Sequence, residues 1–247
     1  MISIIIPTLN EEEGIAKVLC SIPEKLKKKS EIIVVDVSTD LTPVIAKKLG
    51  AKVVKVKEKG KGRQMRLAVK KSKGDILVFL DGDCTDPPEY IPKLLKELKK
   101  ADLVLGSRGM YFSKEDDSSF QRYFYVYGPI IRSLFNLIDF KVKGDPLAGF
   151  RAIRRKDWDR LKLESNNFEI ETEMNIKAAK QGFVIKEVAI PHMKRAGGLR
   201  KSKLVFNPKM HSKIAEVFLK HYRDEKLKDR VNKIKEQMNK YTTFAIF

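Results

Sequence analysis

Two cysteines, Cys20 and Cys84, are all that this 247-residue sequence contains. They lie far apart and in no metal-like spacing, which excludes a disulfide framework and suits a reducing compartment. No run of about 18 apolar residues occurs, so no segment reads as a bilayer-spanning helix. The opening Met1-Ile2-Ser3-Ile4-Ile5-Ile6-Pro7 lacks the basic region and the length of a signal peptide. Prolines and glycines are few, 10 and 14, against 43% hydrophobic residues, which excludes a disordered chain. Internal repeats and low-complexity tracts are also missing. The expectation is a globular protein with one large core, cytoplasmic or peripheral on the cytoplasmic face of the cell membrane.

Acidic residues are in short supply as well: 32 against 51 lysines and arginines, a net charge of +19. That surplus favours polyanionic partners, namely nucleic acid, an anionic membrane surface or phosphorylated substrates. Lys186 to Phe247 carries 16 basic and 6 acidic residues, so more than half of the surplus sits in the last quarter. A solvated Lys/Glu-rich surface accounts for many lysines elsewhere but poorly for this skew. Nucleic acid is not expected, because the aromatics do not interleave with the C-terminal basic residues as a base-stacking platform requires.

What is present is alternation. Ile2–Ile6 reads as a strand stopped by Pro7, followed by a helix to about Ser21 capped by Asn10 or Thr8. Strands at 31–36, 52–56, 75–80 and 102–106 alternate with helices around Val44–Leu49, at Gln64–Ser72 and at Glu89–Lys100, with Gly50 closing the first of these. Such alternation predicts an α/β protein with a parallel sheet and helices on both faces, and sheets of this kind bind ligands at the carboxyl ends of their strands. Asn10, Glu11, Asp36, Asp81 and Asp83 all fall at that end.

Beyond Gly106 the pattern changes. Residues 113–119 read as a polar loop, and Phe120 to Val142 is rich in aromatic and aliphatic residues with Arg122 and Arg132 embedded. It reads either as a core helix or as a segment seated at a membrane surface. A turn at 144–151 leads into a strand, a helix spans 168–181, and a strand spans 183–190. A glycine- and arginine-rich loop follows to Lys203, and the remainder reads as basic amphipathic helix. The predicted division is a domain at 1–205 and a helical tail at 206–247.

Leu77-Val78-Phe79-Leu80-Asp81-Gly82-Asp83-Cys84-Thr85-Asp86-Pro87-Pro88-Glu89 carries the chemistry. Asp86, Pro87 and Glu89 read as a helix start, with Asp86 as cap. Asp81 and Asp83 have no such local task, and taken alone they read either as a solvated acidic turn or as a metal site. Two carboxylates at a buried strand end repel each other and are costly to desolvate, and a hard divalent cation between them reverses that balance.

Taken in order, Ile4-Ile5-Ile6-Pro7-Thr8-Leu9-Asn10-Glu11, Val34-Val35-Asp36, Gly60-Lys61-Gly62, Asp81-Gly82-Asp83 and Gly106-Ser107-Arg108 resemble family 2 glycosyltransferases with the GT-A fold. Asp145-Pro146-Leu147-Ala148-Gly149-Phe150-Arg151, the segment 169–190 and Ser202-Lys203-Leu204 resemble the dolichyl-phosphate mannose and glucose synthases within that family. The resemblance covers about residues 1–205. It implies a GT-A-type, mostly parallel Rossmann-like sheet with helices on both faces, followed by the C-terminal amphipathic helical tail.

By the same resemblance Pro7, Thr8, Asn10, Glu11 and Asp36 bind the nucleotide-sugar donor, with Asp36 facing the base alone because Val37 replaces a second acid. Lys61 and Arg63 meet the diphosphate, helped by backbone amides at the following helix start. Asp81, Gly82 and Asp83 hold Mg²⁺ or Mn²⁺ and the diphosphate, with Thr85 where relatives carry a glutamine. Arg108, Arg122, Arg195 and Lys203 position a polyprenyl phosphate acceptor, while Asp145, Glu171 and Glu173 shape the sugar pocket or orient the arginines. The implied reaction is metal-dependent, inverting hexosyl transfer from GDP-mannose or UDP-glucose, at an anionic membrane surface reached by the basic tail and the stretch 120–142. The alternative acceptor is a small phosphorylated acid such as phosphoglycerate, or a glycan hydroxyl. A sugar-phosphate nucleotidyltransferase is disfavoured, because Pro7-Thr8-Leu9-Asn10 stands where its glycine-rich arginine loop belongs.

Overall fold

A computed structural model of the chain describes residues 1–108, 128–136, 138, 140–191, 193–196 and 208–221. Runs of isoleucine, valine and leucine form strands β1 (Ile2–Thr8), β2 (Ser30–Asp36), β3 (Lys52–Lys55), β4 (Ile76–Phe79) and β5 (Leu103–Ser107). Between and after them stand α1 (Glu12–Ser21), α2 (Glu24–Lys27), α3 (Thr42–Lys48), α4 (Lys61–Lys71) and α5 (Ile91–Glu97). The second half supplies α6 (Gly128–Asn136), β6 (Arg151–Arg154), α7 (Arg155–Leu161), α8 (Glu169–Lys180), β7 (Ile185–Ala189) and α9 (Pro208–His221).

The seven strands make one sheet in the order β3-β2-β1-β4-β6-β5-β7, in which every described pairing is parallel except those of β6 with β4 and β5. Strand periodicity places alternate residues on opposite faces. Ile4, Ile6, Val34, Val78 and Val104 pack with Ile15 and Val18 of α1 and Leu94 of α5. Ile5, Ile33, Val35, Leu77 and Phe79 pack on the other face with Met65 of α4, Trp158 of α7 and Met174 of α8. Burying each such side chain is worth about 1.5–3 kcal/mol, so this two-sided core anchors the central strands β1, β2, β4, β5 and β6.

β1 does not stop at Pro7. It runs to Thr8, paired with β2 as Pro7↔Val35 and Thr8↔Asp36, whereas its pairing with β4 ends at Ile5↔Phe79. Pro7 therefore lies beyond the last pair on the β4 side, where a missing N–H costs little. The cap of α1 also differs from expectation: Glu11 N–H donates to Thr42 Oγ1 (2.9 Å) and Glu12 N–H to Asp40 Oδ2 (3.3 Å). The loop after β2 and the first residue of α3 thus supply what Asn10 and Thr8 do not, and Asn10 instead takes a left-handed turn conformation (φ +55°).

A third cluster joins Leu105 to Ile131, Leu134 and Phe135 of α6, Phe140, Ile176 of α8, and Ile214, Ala215 and Phe218 of α9. Phe135 packs on Phe140 and Phe218 with ring centroids 5.3 and 5.0 Å apart. The buried residues described between 128 and 142 are thus spent on core, while residues 120–127 lie outside the described residues. The predicted boundary at 205 and the basic segment 222–247 lie outside them too. Among the described residues no helix is long and apolar enough to cross a membrane.

Candidate functional site

The carboxyl ends of β1 and β4 open into a cavity of about 200 Å³. β4 ends at Phe79 and the chain turns through Asp81-Gly82-Asp83-Cys84-Thr85, with Cys84 at φ +70°. Asp83 accepts two hydrogen bonds on Oδ1, from the N–H (3.0 Å) and the hydroxyl (2.7 Å) of Thr85. Its Oδ2 pairs with the guanidinium of Arg195. Arg195 is brought there by the segment after β7, where Met193 N–H donates to Thr85 O (3.3 Å) and Ala196 N–H to Asp83 O (3.0 Å).

Lys61, the first residue of α4, holds the other aspartate. Its Nζ lies 2.7 Å from Asp81 Oδ1 and 2.7 Å from Glu171 Oε1 on α8, and 5.5 Å from the Phe168 ring centroid. Burial works against the charged amine, but Asp81 and Glu171 outweigh it and hold its pKa above the ordinary value. Burial likewise opposes ionisation of Asp81, yet Lys61 keeps its pKa below the usual carboxylate range. For Glu171 burial prevails over its share of Lys61, and its pKa is raised. Gly149 permits this arrangement: a Cβ there would stand 2.8 Å from both Asp81 Oδ2 and Lys61 Nζ.

Two of the amides at the start of α4 are taken up within the protein, contrary to expectation. Gly62 N–H donates to Asn167 O (3.2 Å) and Arg63 N–H to Asn166 O (3.0 Å), contacts that only a glycine at 62 admits, since a Cβ would lie 2.2 Å from Ser165 O. Arg63 points away and pairs with Glu58. Lys61 alone of the expected diphosphate cations faces the cavity. Glu173 is likewise drawn off, accepting N–H bonds from Glu164 and Ser165 and pairing with Lys177 (2.6 Å).

Arg108, just past β5, is clasped by two acids. Its Nη2 lies 2.8 Å from Asp145 Oδ2 and its Nη1 3.8 Å from Asp86 Oδ1. Burial, the largest influence on the Arg108 charge, is outweighed by Asp145 and then Asp86, which raise its pKa. Asp86 is not a helix cap: the 3₁₀ turn Pro88–Tyr90 has no side-chain cap bond, and Asp86 is fully buried at 0% exposure. Its Oδ2 accepts Asp81 N–H (3.3 Å), and burial pushes its carboxyl up to about 7 against the pull of Arg108. Asp145 is set by Ser107, whose hydroxyl accepts Asp145 N–H (2.9 Å) and donates to Glu187 (2.6 Å).

Behind this turn Arg151 is wholly buried. It donates from Nε to Ala148 O (2.6 Å), from Nη2 to Pro146 O (2.8 Å) and from Nη1 to Asn175 Oδ1 (2.6 Å). Burial lowers its pKa to about 10.

Of the residues expected at the site, Pro7, Thr8, Glu11, Lys61, Asp81, Gly82, Asp83, Thr85, Arg108, Glu171 and Arg195 line one cavity. Asn10, Asp36 and Asp145 stand behind it. Asn10 Oδ1 accepts Thr39 N–H (3.0 Å). Asp36, 1% exposed, accepts from Thr8 Oγ1 (2.8 Å) and from the hydroxyl (2.5 Å) and N–H (3.2 Å) of Ser38. Arg122 and Lys203 lie outside the described residues. Sequence reasoning missed Gln64, which donates to Thr8 O (2.9 Å) and Val35 O (2.6 Å), and misread Asp86; an Asp before Pro-Pro signals a cap in sequence whatever its burial.

Among the described residues no cluster of three or more His, Cys, Asp or Glu forms a metal cage. Asp81 and Asp83 nonetheless suit a hard cation that takes its remaining ligands from phosphate and water. Each has an oxygen at the cavity paired to a protein cation, Lys61 or Arg195, so positive charge already stands where such an ion belongs.

The sequence matches the family model described as "Glycosyl transferase family 2" over residues 3–161. It is 33% identical over 184 residues to a dolichol-phosphate mannosyltransferase of Pyrococcus furiosus, covering 71% of this chain and 52% of that relative, so the chain spans about half the relative's length. It is 30% identical over 202 residues to a dolichyl-phosphate hexose transferase of Haloferax volcanii, covering 79% of this chain and 84% of the relative. Its fold superposes with TM-score 0.71 on glucosyl-3-phosphoglycerate synthase of Mycobacterium tuberculosis, solved with Mn²⁺, UDP-glucose and phosphoglyceric acid; the match covers 90% of this chain and 79% of that one at 25% identity.

Proposed function

The chain belongs to glycosyl transferase family 2, and on that premise we propose that it moves a hexose from a nucleotide sugar to a polyprenyl phosphate at the cytoplasmic membrane surface. The observation that carries this reading is that the acids best placed to act as a base are tied to cations. Glu171 is bound to Lys61, and Asp145 to Arg108. A hydroxyl acceptor needs a base, whereas a phosphate monoester arrives ionised and needs cationic positioning instead. Arg108 lines the cavity and supplies it, with Arg195 beside it, and Arg122 and Lys203 are assigned the same task.

In this reading Thr8, Glu11 and the Asp36-supported floor hold the nucleoside, and Asp81 and Asp83 hold Mg²⁺ or Mn²⁺. The ion supplies neutralising charge for the departing nucleoside diphosphate. Thr85 keeps Asp83 oriented through its two bonds to Oδ1. Lys61 reaches the diphosphate side of the cavity from between its two acids. A phosphate oxygen of the acceptor attacks the anomeric carbon, the bond from that carbon to the diphosphate breaks with its electron pair leaving on the nucleotide, and the configuration inverts.

A second reading, a small phosphorylated acid as acceptor, is favoured by the fold match to a synthase bound to phosphoglyceric acid. One panel tests both. GDP-mannose and UDP-glucose are each offered with Mg²⁺ and with polyprenyl phosphate, 3-phosphoglycerate or neither, and sugar transfer is scored. Stimulation by polyprenyl phosphate is expected; its absence sinks the lipid reading, and stimulation by 3-phosphoglycerate alone installs the second.

A further inference from the structure

We propose that Asp86 is a positioning residue that joins the Asp81–Asp83 turn to Arg108, and so ties the donor side of the site to the acceptor side. This rests on the reading above for the roles of the two sides, although the joint itself is a matter of geometry. Asp86 is fully buried, and the turn that follows it takes no cap bond from its side chain. A buried carboxylate without a structural task is costly, so its surroundings must repay it.

They offset that cost in part, in two directions. Oδ2 receives the backbone N–H of Asp81 at 3.3 Å, which fixes the first residue of the acidic turn. Oδ1 has no hydrogen-bond partner and stands 3.8 Å from Arg108 Nη1. The second arm of the same guanidinium is held by Asp145 at 2.8 Å. Arg108 is thus set by one acid from the β4 turn and one from the turn leading into β6. Asp86 itself does not line the cavity, so it acts through Asp81 and Arg108 and touches no substrate.

Asp86→Asn is the informative change, because the amide keeps the shape and still offers an oxygen to Asp81 N–H while removing the charge that faces Arg108. The first measurement needs no substrate: nitrogen-15 NMR of the Arg108 Nε–H and the Asp81 amide in the full chain. Both signals are expected to shift or broaden in Asp86→Asn, more than those of Arg151, which Asp86 does not touch. The second is kinetic, with polyprenyl phosphate as acceptor. The acceptor KM is expected to rise about tenfold while the donor KM stays within about twofold. Asp86→Glu is expected to restore part of the acceptor KM.

Unchanged Arg108 and Asp81 signals overturn the proposal whether or not the transfer reaction is as described. A lower melting temperature with donor and acceptor KM raised equally also overturns it, since that is the signature of a merely structural acid. A wild-type chain that transfers to neither acceptor sinks the functional reading and leaves the NMR measurement to decide this one.

Discussion

Asp36 ends β2 and the pair Asp81 and Asp83 follows β4, on either side of β1 at the same sheet edge, and their partners differ in kind. Asp36 is surrounded by neutral donors, two hydroxyls and one N–H, all from Thr8 and Ser38. Asp81 and Asp83 each have an oxygen held by a long cationic side chain that reaches in from another element, Lys61 from α4 and Arg195 from the segment after β7. A carboxylate saturated by short neutral donors from its own turn and the adjacent strand end is a finished joint. One held by a flexible cation can exchange that cation for another, because the charge is balanced whichever cation provides it.

The sharpest way to break this contrast is Asp83→Ala. Turnover is expected to fall at least about 10³-fold, as for loss of a main electrostatic stabiliser, while far-UV circular dichroism stays that of the wild type. Normal turnover of this variant with metal present refutes the site assignment. Asp36→Ala is expected to do the reverse. Stranding the Thr8 and Ser38 donors costs about 1–3 kcal/mol of stability, read from denaturant melts, and raises the donor KM while largely sparing kcat. Equal losses of kcat from the two variants would erase the distinction.

The smallest expected effect concerns Glu173, a further acid, which combines both kinds of partner, the N–H groups of Glu164 and Ser165 and the cation of Lys177. Burial pushes its carboxyl up, but Lys177 and the Ser165 and Glu164 donors outweigh burial and leave its pKa below the ordinary 4.5. Its contribution is therefore present above pH 4.5 and is lost as the pH falls through the depressed folded value. Glu173→Gln is expected to cost about 1 kcal/mol at neutral pH, with the gap to wild type closing in melts below pH 4.5.

Much of this was legible in the chain because short-range patterns set it. The Ile/Val runs and their turns give the strands, and β2 ends at Asp36 as its run predicts, while β1 continues past Pro7 to Thr8 and β4 stops at Phe79. What escaped depends on partners distant in sequence. Thr42 and Asp40 cap α1 from the start of α3 and the loop before it, and Asn166 and Asn167 close the start of α4 from about a hundred residues away. Asp86 was misread because local sequence shows a residue's neighbours along the chain but not its burial. Arg151, seen only as the end of a motif, is an inner pin holding Pro146 and Ala148.

The reversed direction of β6 has its own consequence. Because β6 runs against β4 and β5, its first residue pairs beside the end of β5, as Leu105↔Arg151, with Gly106 N–H on Phe150 O at 2.8 Å. Everything between these two strands leaves from and returns to one point on the rim. Lengthening such a closed excursion costs only about 0.6 kcal/mol of closure entropy per doubling and alters no strand register, provided Ile131, Leu134, Phe135 and Phe140 keep their places in the core. The rim between β5 and β6 can in that sense change length in evolution or by design while the edge set by β1 to β4 stays as it is.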